Sequence, residues 1–93
     1  MEIAKYYHVQ RLLFASSCSV YGANSKIWLN EGSWLNPLSL YAQTRVMSEE
    51  VLLSAGCQVA PVILRMGTLF GQSQRMRYDL VINTLTAKAV REC

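Results

Sequence analysis

Ninety-three residues make one small domain at most, and a composition 52% hydrophobic and 16% charged excludes an intrinsically disordered chain. That apolar share is high for so little enclosed volume, which points to a piece of a larger fold or a chain that needs partners. The net charge of +3 is scattered apart from QSQRMR at 72–77, without the dense basic stripe that nucleic acid requires, and no apolar run reaches the ~18 residues that span a membrane.

In chain order, EIAKYYH at 2–8 reads as the closing turns of a helix, with His8 at the surface. RLLFASS at 11–17 is a short apolar run ending in small polar residues, as expected of a strand buried on both faces in a parallel sheet. Residues 18–36 are rich in Gly, Ser and Asn and read as loop, with Trp28 and Trp34 expected to pack. Pro37 breaks regular structure, and Ser39 is the natural N-cap for a helix over 40–54. On that helix Val46, Met47, Val51, Leu52 and Leu53 form the expected buried stripe, with Ser48, Glu49 and Glu50 turned to water and Gly56 as left-handed C-cap.

VAPVILRMG at 59–67 reads as a second buried strand, with Pro61 near its start, where proline is tolerated. GTLFGQSQRMR is loop, with Arg75 and Arg77 expected to be solvated, the alternative being a grip on a diphosphate, and YDLVINTLTAKAVRE at 78–92 carries apolar residues at helical spacing. The three cysteines, Cys18, Cys57 and Cys93, are odd in number and lack CxxC spacing, so neither a disulfide framework nor a metal site is expected. Cys18 reads as a small buried residue. MEIAKYYHVQ lacks the apolar core of a signal peptide, so a reducing, cytoplasmic setting is the default.

Strand, long loop, helix, strand, loop, helix is the order of an α/β chain holding one βαβ unit. Ligands of open α/β sheets bind beyond the carboxyl ends of the strands, where Ser16, Ser17 and Gly67 fall. Ser17 closes the first strand and Tyr41 opens the crossover helix, so a hydroxyl and a phenol can share one crevice. Arg45, four residues on, shares the helix face of Tyr41. A free phenol, with a pKa near ~10, is a weak base at neutral pH. A neighbouring cation favours the phenolate, and a serine hydroxyl can hold the oxygen that gains or loses the proton.

RLLFASSCSVYG resembles the serine-bearing strand of the extended short-chain dehydrogenases/reductases, the NAD-dependent sugar-nucleotide epimerase/dehydratase group. LNPLSLYAQTRVMSEEVLL is similar to their Tyr-x-x-x-Lys helix, and APVILRMGTLFGQSQRMRYDLVIN to the segment after it. The resemblance covers nearly the whole chain. It implies a partial Rossmann-type doubly wound fold, one βαβ unit plus a following helix, with residues 1–93 a fragment of an NAD(P)-binding catalytic domain. It implies Tyr41 as the general acid/base on a sugar hydroxyl and Ser17 as the hydroxyl bonding the same oxygen. Arg45 stands where the family lysine holds the nicotinamide ribose and lowers the tyrosine pKa. Ser16 and Gly67 fall at the cofactor, Thr68 near the substrate, and Asp79 and Asn83 in the helix whose start touches the nucleotide diphosphate in some relatives.

Two departures stand out. Arginine is a broad planar fork where lysine is a compact ammonium. It either still bonds the ribose hydroxyls or is displaced and leaves Tyr41 without a cation. The Gly-x-x-Gly-x-x-Gly turn that cradles the dinucleotide pyrophosphate is absent, as is the acidic residue ~20 positions beyond it. The N-terminal nucleotide-binding half is therefore expected to be missing, and the chain alone to be inactive and a poor binder of NAD or NADP. The parent substrate would be a nucleotide-linked sugar, and the assembly a homo- or hetero-oligomer. Two other readings stay open: a non-catalytic interaction or regulatory module, and an unstable product of a truncated gene.

Overall fold

A computed structural model describes residues 2–24, 28–54 and 59–92. After a short helix α1 (Glu2–Tyr6), strand β1 (Arg11–Ser17) pairs in parallel with β2 (Ala60–Met66), in register from Arg11 opposite Ala60 to Ser17 opposite Met66. Helix α2 (Leu40–Ser54) lies between them in the chain, and α3 (Val81–Glu92) comes last. The βαβ unit is thus present, and both strands deliver their carboxyl ends, Ser17 and Met66, to the same edge.

Local chemistry sets the start of α2. The Ser39 hydroxyl accepts from the Ala42 amide at 3.1 Å, satisfying one orphan donor of the first turn. Upstream, Cys18–Tyr21 forms a 3-10 turn that ends at Gly22, with φ of 54°. A side chain at Gly22 would place its Cβ 1.6 Å from the Asn36 carbonyl oxygen, so glycine is required by both conformation and space. The Asn36 amide donates to the Val20 carbonyl at 3.1 Å, pinning the loop's return beside the tip of β1. The chain that leads into α2 is therefore returned to the turn that follows β1 by a backbone bond.

Three expectations about burial are corrected. Each strand is covered on one face only. Phe14, Ser16 and Arg65 meet α2, while Leu13 and Leu64 on the other face are 64% and 44% exposed. The inward face of α2 is built on Ala42 and Glu49, not on the five-residue apolar stripe: Met47, Val51 and Leu53 are exposed, and Glu49 is only 2% exposed. Trp28, Trp34 and Cys18 are exposed rather than packed, whereas His8 is at the surface as expected. Gly56, Cys57 and Cys93 lie outside the described residues. Helix α3 begins at Val81, not 78, because Tyr78–Leu80 form a turn whose Tyr78 and Leu80 carbonyls accept from the Thr84 hydroxyl.

Among the described residues the apolar core is small: Val20, Tyr21, Ala42 and Val59. The radius of gyration is 17.1 Å, against about 12 Å for a compact domain of this length. Wide apolar faces are left open, in keeping with the composition.

Candidate active site

Beyond the carboxyl ends of β1 and β2 lies an open crevice of about 700 Å³, whose walls include Ser16, Ser17, Tyr41, Gly67, Thr68 and Arg77. The hydroxyl and the phenol singled out in the sequence therefore face one space. The Ser17 hydroxyl oxygen accepts from the Ser19 amide at 3.2 Å and from the Ser19 hydroxyl at 2.9 Å. The amide bond is an accepted one and leaves the Ser17 hydroxyl able to turn its proton to a ligand oxygen. Tyr41 is 51% exposed at the crevice. A Cβ added to Gly67 would meet nothing within 4 Å, so the space beside its backbone is open.

Arg45 is absent from the crevice wall. Its guanidinium carbon lies 4.8 Å from the Tyr41 ring centroid and 5.5 Å from that of Phe14, and one N–H points at the Ala15 carbonyl at 3.4 Å. The guanidinium thus lies over the phenol ring, away from the crevice, and links it to β1. Thr68 is exposed and borders the crevice. Ser16 forms part of the wall, but its hydroxyl donates to the Glu49 carboxylate, so what it presents to a ligand is main chain.

Asp79 and Asn83 are not brought to this crevice. Arg77 grips Asp79 from two nitrogens at 2.5 and 3.2 Å and holds its carboxyl below the usual range, in full solvent. The buried Asn83 amide donates to the Arg77 carbonyl at 3.0 Å and accepts from the Gly71 amide at 3.5 Å, fastening the 71–77 loop to α3. Arg77, expected to be solvated or to grip a diphosphate, is exposed and borders the crevice.

The network missed in the sequence centres on Glu49. Arg65 donates to it from Nε at 3.2 and 3.1 Å and from Nη2 at 2.7 Å, and Ser16 adds a third donor group. The remaining nitrogen, Nη1, donates to the Tyr21 hydroxyl at 3.0 Å and the Glu31 carbonyl at 3.3 Å. Burial opposes ionisation of Glu49, but the bonds from Arg65 and Ser16 and the attraction of Arg65 outweigh it and hold the carboxyl below its ordinary value. The Glu49 bonds push the Arg65 guanidinium further up. An arginine inside the apolar run VILRM is the signal that could have exposed this pair, since a buried charge needs a partner.

Among the described residues no cluster of His, Cys, Asp and Glu could hold a metal, and no helix is long and apolar enough to cross a membrane. The family model for the NAD dependent epimerase/dehydratase family matches residues 1–92. The chain is similar to Protein CapI of Staphylococcus aureus, 44% identical over 50 residues, covering 53% of this chain and 15% of that protein. It is also similar to a probable UDP-arabinose 4-epimerase of Oryza sativa subsp. japonica, 27% identical over 81 residues, covering 83% of this chain and 19% of that one. Among solved structures, a UDP-N-acetylglucosamine 4-epimerase from Methanobrevibacter ruminantium, in complex with UDP-N-acetylmuramic acid, superposes with a TM-score of 0.81 at 28% identity. That match covers 96% of this chain and 30% of the epimerase.

Proposed function

Because the chain belongs to the NAD dependent epimerase/dehydratase family, we propose that it carries the acid/base part of an NAD(P)-dependent conversion of a nucleotide-linked sugar. The observation that carries this reading is the shared crevice of Ser17 and Tyr41 at the carboxyl ends of two parallel strands. Tyr41 takes the proton of a sugar hydroxyl and returns it. Ser17 donates its hydroxyl proton to the same oxygen and holds it against the phenol. Thr68 and Arg77 border the substrate, with Arg77 released from Asp79 when an anionic group approaches. Asp79 and Asn83 serve the substrate only through the loop they brace.

The residues present fit one end of a dinucleotide. Gly67 and the main chain of Ser16 offer an open wall for the nicotinamide ring, with Tyr41 at its ribose side; Arg45, off the crevice wall, bears on that side only through the Tyr41 ring. The 93 residues contain no glycine-rich turn for the pyrophosphate. When bound, NAD(P) supplies the acceptance and return of hydride at the sugar carbon. Alone, the chain gives no turnover; with a pyrophosphate cradle from elsewhere, it supplies the proton chemistry.

The test is a graft in which residues 1–92 replace the matching segment of a full-length relative, assayed with NAD and a UDP-sugar. Slow epimerisation or dehydration that Tyr41→Phe lowers about 10²–10⁴-fold supports the reading. Turnover indifferent to Tyr41 contradicts it. A second reading, a non-catalytic module that pairs with a full-length relative or with its own copy, is favoured by the open sheet face carrying Leu13, Val62 and Leu64. Co-purification with the relative and no gain of turnover would favour that alternative.

A further inference from the structure

We propose that Glu49 is a positioning residue: held by Ser16 of β1 and Arg65 of β2, it fixes the seat of α2 on the sheet and so sets Tyr41 opposite Ser17. This rests on Ser17 and Tyr41 forming the acid/base site, and gives that site a part nothing else has assigned.

Glu49 is 2% exposed, and every polar contact of its carboxylate leaves α2. The Ser16 hydroxyl bonds one oxygen from the penultimate residue of β1. Arg65, also penultimate in its strand, grips both oxygens from β2. These two residues face each other across the sheet in the parallel register, so a single carboxylate clasps both strands at matching height. Through Tyr21 and the Glu31 carbonyl, the same guanidinium reaches the 3-10 turn and the loop that leads back to Ser39.

Ser16 adjoins Ser17, and Glu49 shares a rigid helix with Tyr41. The clasp therefore relates the two crevice groups through one helix and one peptide link. Apolar packing alone would leave α2 free to slide, because its inward face offers only Ala42 as a fully buried apolar residue. A bidentate fork fixes both rotation and height, which apolar contact does not.

Arg45 reports on the result. Its contact with Tyr41 is internal to α2, whereas its contact with Phe14 crosses to β1. In the full chain with labelled Arg, Phe and Tyr, nuclear Overhauser cross-peaks from Arg45 to both rings are expected. In Glu49→Ala, loss of the Phe14 cross-peaks with survival of the Tyr41 cross-peaks supports the proposal. Survival of both, alongside lowered stability, shows a merely structural pair and overturns it. Ser16→Ala leaves the Glu49–Arg65 pair in place and decides the matter if Glu49→Ala does not fold. There, weakened Phe14 cross-peaks support the proposal and unchanged ones overturn it. Failure of the functional reading is separate: it shows in Tyr41→Phe turnover of the graft and leaves these cross-peaks where they are.

Discussion

Replacing Glu49 by alanine should be the most damaging polar substitution in α2. Removing one partner of a buried ion pair costs about 3–5 kcal/mol, because the other charge stays buried without compensation. The Glu49 side chain is 3% exposed and that of Arg65 18%, so the pair lies almost wholly out of water. Arg65 keeps the Tyr21 hydroxyl and the Glu31 carbonyl as acceptors, which places the expected loss near the lower limit, about 3 kcal/mol. Urea unfolding followed by circular dichroism measures it, with Glu50→Ala as control. Glu50 is exposed, and its loss should fall within about 0.5 kcal/mol of the parent. Equal midpoints for the two variants would refute the claim that Glu49 is a buried anchor.

The same geometry sets other outcomes. Glu49 has a lowered folded pKa, so its contribution is fully present above its ordinary value of 4.5 and disappears as pH falls through the lower folded value. The urea midpoint of the parent should hold from neutral pH to about pH 5 and drop below it, and the drop should be shallower in Glu49→Gln. Gly22→Ala forces a side chain into the Asn36 carbonyl at positive φ and should cost at least about 1–3 kcal/mol in a thermal or urea melt. In the full-length graft, Arg45→Lys should raise kcat roughly tenfold or more, about 1.4 kcal/mol of barrier, by exchanging a guanidinium lying over the Tyr41 ring for an ammonium that can reach the ribose side. An unchanged or lower kcat would show that the guanidinium already serves the phenol.

The bounds of β1 and α2 were legible because their signals are local. An apolar run stops at Ser17, Pro37 breaks the chain, and Ser39 caps the helix that starts at Leu40. The residues that meet in the crevice were legible too, through a strand tip, a first-turn phenol and a glycine after the second strand. Everything decided by a distant partner escaped. Glu49 looks like a water-facing residue until Arg65, on another element, is placed against it. The strands look buried on both faces because alternation and hydrophobicity cannot say which layers are present to cover them. Helix α3 starts late because Asp79 is taken by Arg77, and the Thr84 hydroxyl binds back to the turn, neither of which apolar spacing records.

The most direct measurement concerns the space between Ser17 and Tyr41. In the full-length graft with labelled serine and tyrosine, a bound UDP-sugar should show Overhauser contacts from one sugar ring to the Ser17 methylene and the Tyr41 ring together. A sugar that touches only one of them, or neither, while still being turned over, would contradict the account at its root.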